Sequence, residues 1–84
     1  MPAVVVYSSN TCPYCYRAKQ LLAGKGVDFQ EIVVDGQPEL RSEMVRKAGR
    51  TSVPQIWIGA THVGGCDDLY ALERQGKLNA LLQN

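Results

Sequence analysis

The stretch "AVVVYSSNTCPYCYRAKQLLAGKGVDFQEIVV", Ala3 to Val34, changes its hydrophobic period twice, and those changes decide the fold. Ala3 to Ser8 is a β-branched run bounded by polar residues, which predicts a buried strand. From Pro13 onward Cys15, Ala18, Leu21 and Leu22 share one helical face, with Arg17, Lys19 and Gln20 largely off it. Gly24 and Gly26 supply the stop, so the helix is expected to end near Ala23. "FQEIVV", residues 29–34, then reads as a second strand. A strand-helix-strand unit this short implies a right-handed crossover and parallel pairing.

Outward from that unit, "QPELRSEMVRKAG" carries Pro38 at a first helical position, an early acid, late Arg46 and Lys47, and Gly49 as terminator. Leu40, Met44, Val45 and Ala48 give that helix its apolar face. "VPQIWI" and "THVG" are short strands separated by Gly59 and Ala60, close enough for an antiparallel hairpin. The chain finishes in helical patterns. Cys66 or Asp67 is expected to cap a segment containing Leu69 and Leu72, and Leu78, Leu81 and Leu82 extend an apolar stripe after Gly76. The order βαβ, helix, ββ, helix predicts an α/β domain over residues 1–84: a four-stranded mixed β-sheet with helices on both faces.

Composition bounds what such a domain does. At 84 residues and 45% hydrophobic content the chain suits one core. Nine Lys and Arg against eight Asp and Glu give a net charge of +1, which argues against a nucleic-acid or membrane-surface partner. The apolar start stops at Ser8, Ser9 and Asn10, too short for a signal peptide or membrane span, so a cytoplasmic location is expected. A static disulfide is disfavoured in a reducing compartment, and the three cysteines cannot all pair. Redox chemistry and metal binding remain.

With Pro13 at the first helical position, Cys12 becomes the N-cap and Cys15 lies one turn further in. The unpaired amides of Tyr14 and Cys15 and the positive end of the macrodipole would stabilise a Cys12 thiolate. Helix N-termini and C-x-x-C arrangements lower thiol pKa values from about 8.5 into a range of roughly 3.5 to 7.5, so Cys12 is expected to be the nucleophile. Cys15, more buried, is expected to stay a thiol until it attacks a mixed disulfide on Cys12. The competing reading of Cys15 is a buried hydrophobe on the core face.

"CPYC", "TSVP" and "GGCDDL", in that order between Cys12 and Leu69, resemble the active-site motif, cis-proline loop and glutathione-binding turn of the glutaredoxins, small proteins of the thioredoxin fold. The resemblance implies a cis Val53–Pro54 bond, where the residues alone allow a trans Pro54 at the start of a strand. It also implies that the Val53 backbone pairs with the cysteine portion of glutathione, and that Tyr14 and Thr51 flank the tripeptide. In "GGCDD", Gly64 and Gly65 allow close approach and the Cys66 and Asp67 amides point outward to a carboxylate. By resemblance that carboxylate is the γ-glutamyl end of glutathione, with Asp67 opposite its ammonium; as an isolated residue Asp67 reads equally as an N-cap. Arg50 is the candidate for the glycyl carboxylate.

Ser9 stands where many glutaredoxins have a lysine, so one cationic contact to the ligand is absent. Cys66 is expected to be a non-catalytic thiol and His62 a structural or exposed residue. Trp57 and Tyr7 read as sheet core or cover. The implied function is a glutathione-dependent thiol–disulfide oxidoreductase acting through Cys12 and Cys15 on protein disulfides and glutathionylated proteins. No bound cofactor and no metal is expected. Glutathione is the cosubstrate, and the working form is a monomer. The rival is a metal carrier: an iron–sulfur cluster held by Cys12 with glutathione, or zinc on Cys12, Cys15 and Cys66, which lacks a second closely spaced ligand pair.

Overall fold

The computed structural model describes residues 2–83; Met1 and Asn84, included in the expected domain, lie outside the described residues. β1 (Val4–Ser8) leads through a short loop into α1 (Pro13–Gly24), and β2 (Gln30–Val33) returns parallel to β1 with Val6 opposite Glu31. α2 (Pro38–Ala48) crosses to β3 (Gln55–Ile58), antiparallel to β1, and β3 turns into β4 (Thr61–Gly64), antiparallel again. The sheet order is β2-β1-β3-β4, and α3 (Cys66–Arg74) and α4 (Leu78–Gln83) close the chain. This is the expected four-stranded mixed sheet with helices on both faces.

The elements end where backbone chemistry requires. α1 begins at Pro13 behind an extended Cys12, and the amides of Lys25, Gly26 and Val27 fold back onto its last carbonyls. α2 stops at Gly49, which takes the left-handed conformation at φ 70° that disfavours any side chain. β3 starts at Gln55 and not at the expected Val53, since Pro54 has no N–H to give the ladder.

Alternation along the strands divides the core into two unequal layers. Val4, Val6, Ile56 and Ile58 pack beneath α1, α3 and α4 against Ala18, Leu22, Leu69, Leu78 and Leu82. Tyr7 and Val34 face the opposite side with Met44 of α2, joined by half-buried Val5, Ile32, Leu40, Val45 and Trp57. One helix covers this face, and Met44 is its fully buried side chain. Met44→Ala is expected to cost about 2 to 5 kcal/mol, read as a lower urea midpoint. That is a large share of the roughly 4 to 13 kcal/mol available to a chain of this size. Among the described residues no helix is long and apolar enough to cross a membrane.

Candidate active site

Since β1 is antiparallel to β3 and β3 to β4, the C-terminal ends of β1 and β4 and the N-terminal end of β3 meet at one end of the sheet. Three connections therefore converge there: the loop bearing Cys12, the loop bearing Val53 and Pro54, and the turn into α3. β2 ends on the same side, and Asp35 just beyond it takes the Ser9 hydroxyl at 2.7 Å and the Asn10 amide at 2.8 Å. These two bonds, the hydroxyl's first, hold the Asp35 carboxyl below its usual range. Ser9, in the place of an expected lysine, thus ties the loop before the cysteines to the end of β2.

Cys12 is the N-cap of α1 and half-buried, and its sulfur accepts the Cys15 amide at 3.1 Å. Of the two amides expected there, Cys15 supplies this bond; the Tyr14 amide makes none to the sulfur. Cys12 Sγ also lies 3.6 Å from the Val53 carbonyl, within reach of S–H donation. Cys15 is fully buried, and burial first, then the neighbouring Cys12 sulfur, pushes its thiol up to about 12. Both are free thiols. The Val53–Pro54 peptide is cis.

The turn into α3 departs from expectation. Neither Cys66 nor Asp67 is the cap: Gly65 is, in an extended conformation, following Gly64 at φ 113°. Asp68, the third helical residue, accepts the Gly65 amide at 2.9 Å. The cap is thus made backward from inside the helix, and Asp67 is left exposed, with no hydrogen bond or ion pair among the described residues. The Gly65 amide, and then the Arg50 guanidinium at 3.0 Å, keep the Asp68 carboxyl below its usual range. A depressed carboxyl contributes stability above its unfolded pKa, near 4, that is lost as pH falls through the folded value. Asp68→Asn is therefore expected to flatten the acid limb of a stability-versus-pH curve below about pH 4, and partial exposure keeps the effect small.

An open groove beside Cys12 is lined by Tyr14, Arg50, Ser52, Val53, Pro54, Gly65, Cys66, Asp67 and Asp68. Of the binding residues proposed from sequence, Tyr14, Arg50, Val53, Pro54, Gly65, Cys66 and Asp67 line it, with Cys12 beside Val53 and Cys15 buried behind; Thr51 is exposed outside the lining with its carbonyl taken by Arg41 at 3.1 Å. Ser52 and Asp68 were missed; an acid three residues after Gly65 is the signal that points to Asp68. Tyr14 stands 56% exposed as one wall, with the Arg17 guanidinium 5.9 Å from its ring centre. Cys66 is buried, and burial, then the Asp67 carboxylate, pushes its thiol upward, which disfavours a reactive thiolate. His62 is half-buried and hydrogen-bonded to Gln55. Among the described residues no three His, Cys, Asp or Glu side chains converge as a metal site.

A paired-thiol helix start facing a cis-proline loop, carried on this sheet, defines a redox protein of the thioredoxin fold. A family model described as Glutaredoxin matches residues 4–63, and a glutaredoxin of Pseudomonas aeruginosa is 74% identical over 82 residues, covering 98% of each chain. Glutaredoxin 3 of Escherichia coli K12 is 57% identical over 83 residues, 99% of this chain and all of that one. A crystal structure of a buckwheat glutaredoxin–glutathione complex superposes with a TM-score of 0.90 at 33% identity, over 98% of this chain and 77% of that chain. The chain belongs to the glutaredoxin family, and its role is a glutaredoxin redox role.

Proposed function

We propose that the protein is a glutathione-dependent thiol–disulfide oxidoreductase that reduces glutathionylated proteins and protein disulfides. The observation that carries this reading is the asymmetry of the two thiols. Cys12 is accessible and takes a helix-terminal amide on its sulfur, whereas Cys15 is sealed beneath it and held protonated.

With a glutathionylated protein, the Cys12 thiolate attacks the glutathione sulfur. A Cys12–glutathione disulfide forms and the protein leaves as a thiolate, which then takes a proton. A second glutathione thiolate attacks the glutathione sulfur of that adduct, releasing oxidised glutathione and regenerating Cys12. With a protein disulfide, Cys12 first forms a mixed disulfide with the target. Cys15 then loses its proton and attacks Cys12 Sγ, the target's second thiolate leaves, and two glutathiones reduce the resulting Cys12–Cys15 disulfide.

The groove supplies the proposed recognition. The Val53 backbone pairs with the cysteine portion of glutathione, Tyr14 and Pro54 form walls, and Thr51 flanks the rim. The amides of Cys66 and Asp67, following Gly65, receive the γ-glutamyl carboxylate while the Asp67 carboxylate faces its ammonium. Arg50, already shared with Asp68, meets the glycyl carboxylate at the edge. In this reading the protein works as a monomer in a reducing cytoplasm, where its cysteines stay thiols, with no organic cofactor bound. In an NADPH-coupled assay the protein is expected to turn over a glutathionylated peptide with glutathione and glutathione reductase. Turnover that required thioredoxin reductase in their place would contradict the reading.

A further inference from the structure

Gln55 is a fully buried polar side chain placed directly after Pro54, where β3 begins. Its Nε2 donates to the Ser52 carbonyl at 3.0 Å and approaches the Ser52 hydroxyl at 3.4 Å, while its Oε1 lies 2.8 Å from His62 Nε2. A carbonyl oxygen only accepts, so the amide nitrogen must face Ser52 and the amide oxygen His62. It follows that His62 Nε2 carries a proton. His62 is held in turn by its cross-strand partner Trp57, on which its ring stacks at 4.6 Å and 28° beside a β-bulge between β3 and β4. Trp57 rests edge-on against Tyr7 at 5.3 Å.

The Ser52 carbonyl belongs to the same planar peptide as the Val53 N–H, and in a trans peptide the two point in opposite directions. Drawing the carbonyl inward to Gln55 therefore turns the Val53 N–H away from the core. We infer that Gln55 and His62 are a positioning pair that sets the Ser52–Val53 peptide plane, and with it the backbone edge offered to the cysteine portion of the ligand; this rests on the glutathione reading above. Neither side chain lines the groove, so both act through Ser52. Without the pair the carbonyl loses its buried donor, and the peptide is free to turn about the adjoining single bonds. Binding should suffer while the sulfur chemistry at Cys12 does not.

The test compares wild type with Gln55→Met, His62→Phe and His62→Gln in the coupled assay, using a glutathionylated peptide, alongside urea midpoints and Val53 amide chemical shifts in the free proteins. Gln55→Met keeps the length without the amide, His62→Phe keeps the stack without the donor, and His62→Gln returns a donor. The first two are expected to raise KM about 2- to 10-fold, the worth of one buried hydrogen bond, and to move the Val53 amide signal. The turnover number and the rate of Cys12 alkylation should stay as in wild type. His62→Gln should recover both KM and the signal. Lower urea midpoints with KM and the Val53 signal unchanged would overturn the inference. If Gln55→Met does not fold, the two His62 variants decide by themselves. A wild type inactive on the peptide would sink the glutathione reading, and the Val53 signal would still support or overturn the pair.

Discussion

Cys12→Ser is expected to reduce activity on every disulfide substrate to background, a loss of roughly three orders of magnitude or more, because the group that forms the covalent adduct is gone. Cys15→Ser is expected to behave differently. Reduction of a glutathionylated peptide needs only Cys12 and a second glutathione, so it should persist. Reduction of a protein disulfide needs an internal thiol to release the target, so most of it should disappear. Burial that pushes the Cys15 thiol up to about 12 keeps it from competing as a first nucleophile at neutral pH. Its sulfur becomes useful when Cys12 is already part of a disulfide, beside which it is held. Iodoacetamide should accordingly label Cys12 and spare Cys15 in the folded protein. Equal loss of both activities in the two variants would remove this division of labour.

Asp67→Ala is expected to weaken the apparent affinity for a glutathionylated substrate by about ten- to a hundredfold, before solvent exposure reduces it, since a charge-assisted hydrogen bond is worth roughly 1.5 to 3 kcal/mol. The sequence alone left a capping role for this residue. The structure gives the cap to Gly65 and the reaching carboxylate to Asp68, so Asp67→Ala should leave the urea midpoint close to wild type. A first-turn acid still favours the helix dipole by about 0.3 to 1 kcal/mol, which sets the size of any stability change. Asp68→Ala should have the larger effect on stability, since it removes the acceptor of the Gly65 amide. The pair of variants, measured by kinetics and urea unfolding together, separates recognition from capping. Unchanged affinity with a lower midpoint in Asp67→Ala would place Asp67 outside the binding site.

How much of this was legible depended on how local the signal was. β1 and α1 are written in their own residues: a β-branched run, then Pro13 and apolar positions one turn apart. The two-layer core follows from period-two alternation in β1 and β3, and Met44 was visible as part of an apolar helical face. The start of α3 was misread because Asp67 outranks glycine as a cap by side-chain preference, which draws the helix start past Gly65. The fold instead places Gly64 at a positive φ and lets Asp68 reach back, a choice no single residue announces. The partners of Arg50 and Gln55 were equally hidden, since Asp68 and His62 reach them only once β4 lies beside β3. The cis Val53–Pro54 bond came from family resemblance and not from the residues, for which trans is the ordinary state.

The division between an attacking and a resolving thiol is tested most directly by trapping the first adduct. Cys15→Ser, incubated with a glutathionylated peptide and no free glutathione, should gain the mass of a single glutathione. Proteolysis should place it on Cys12, with the peptide released as a free thiol. Glutathione found on Cys66, or a protein left unmodified while the peptide stays glutathionylated, would contradict the account.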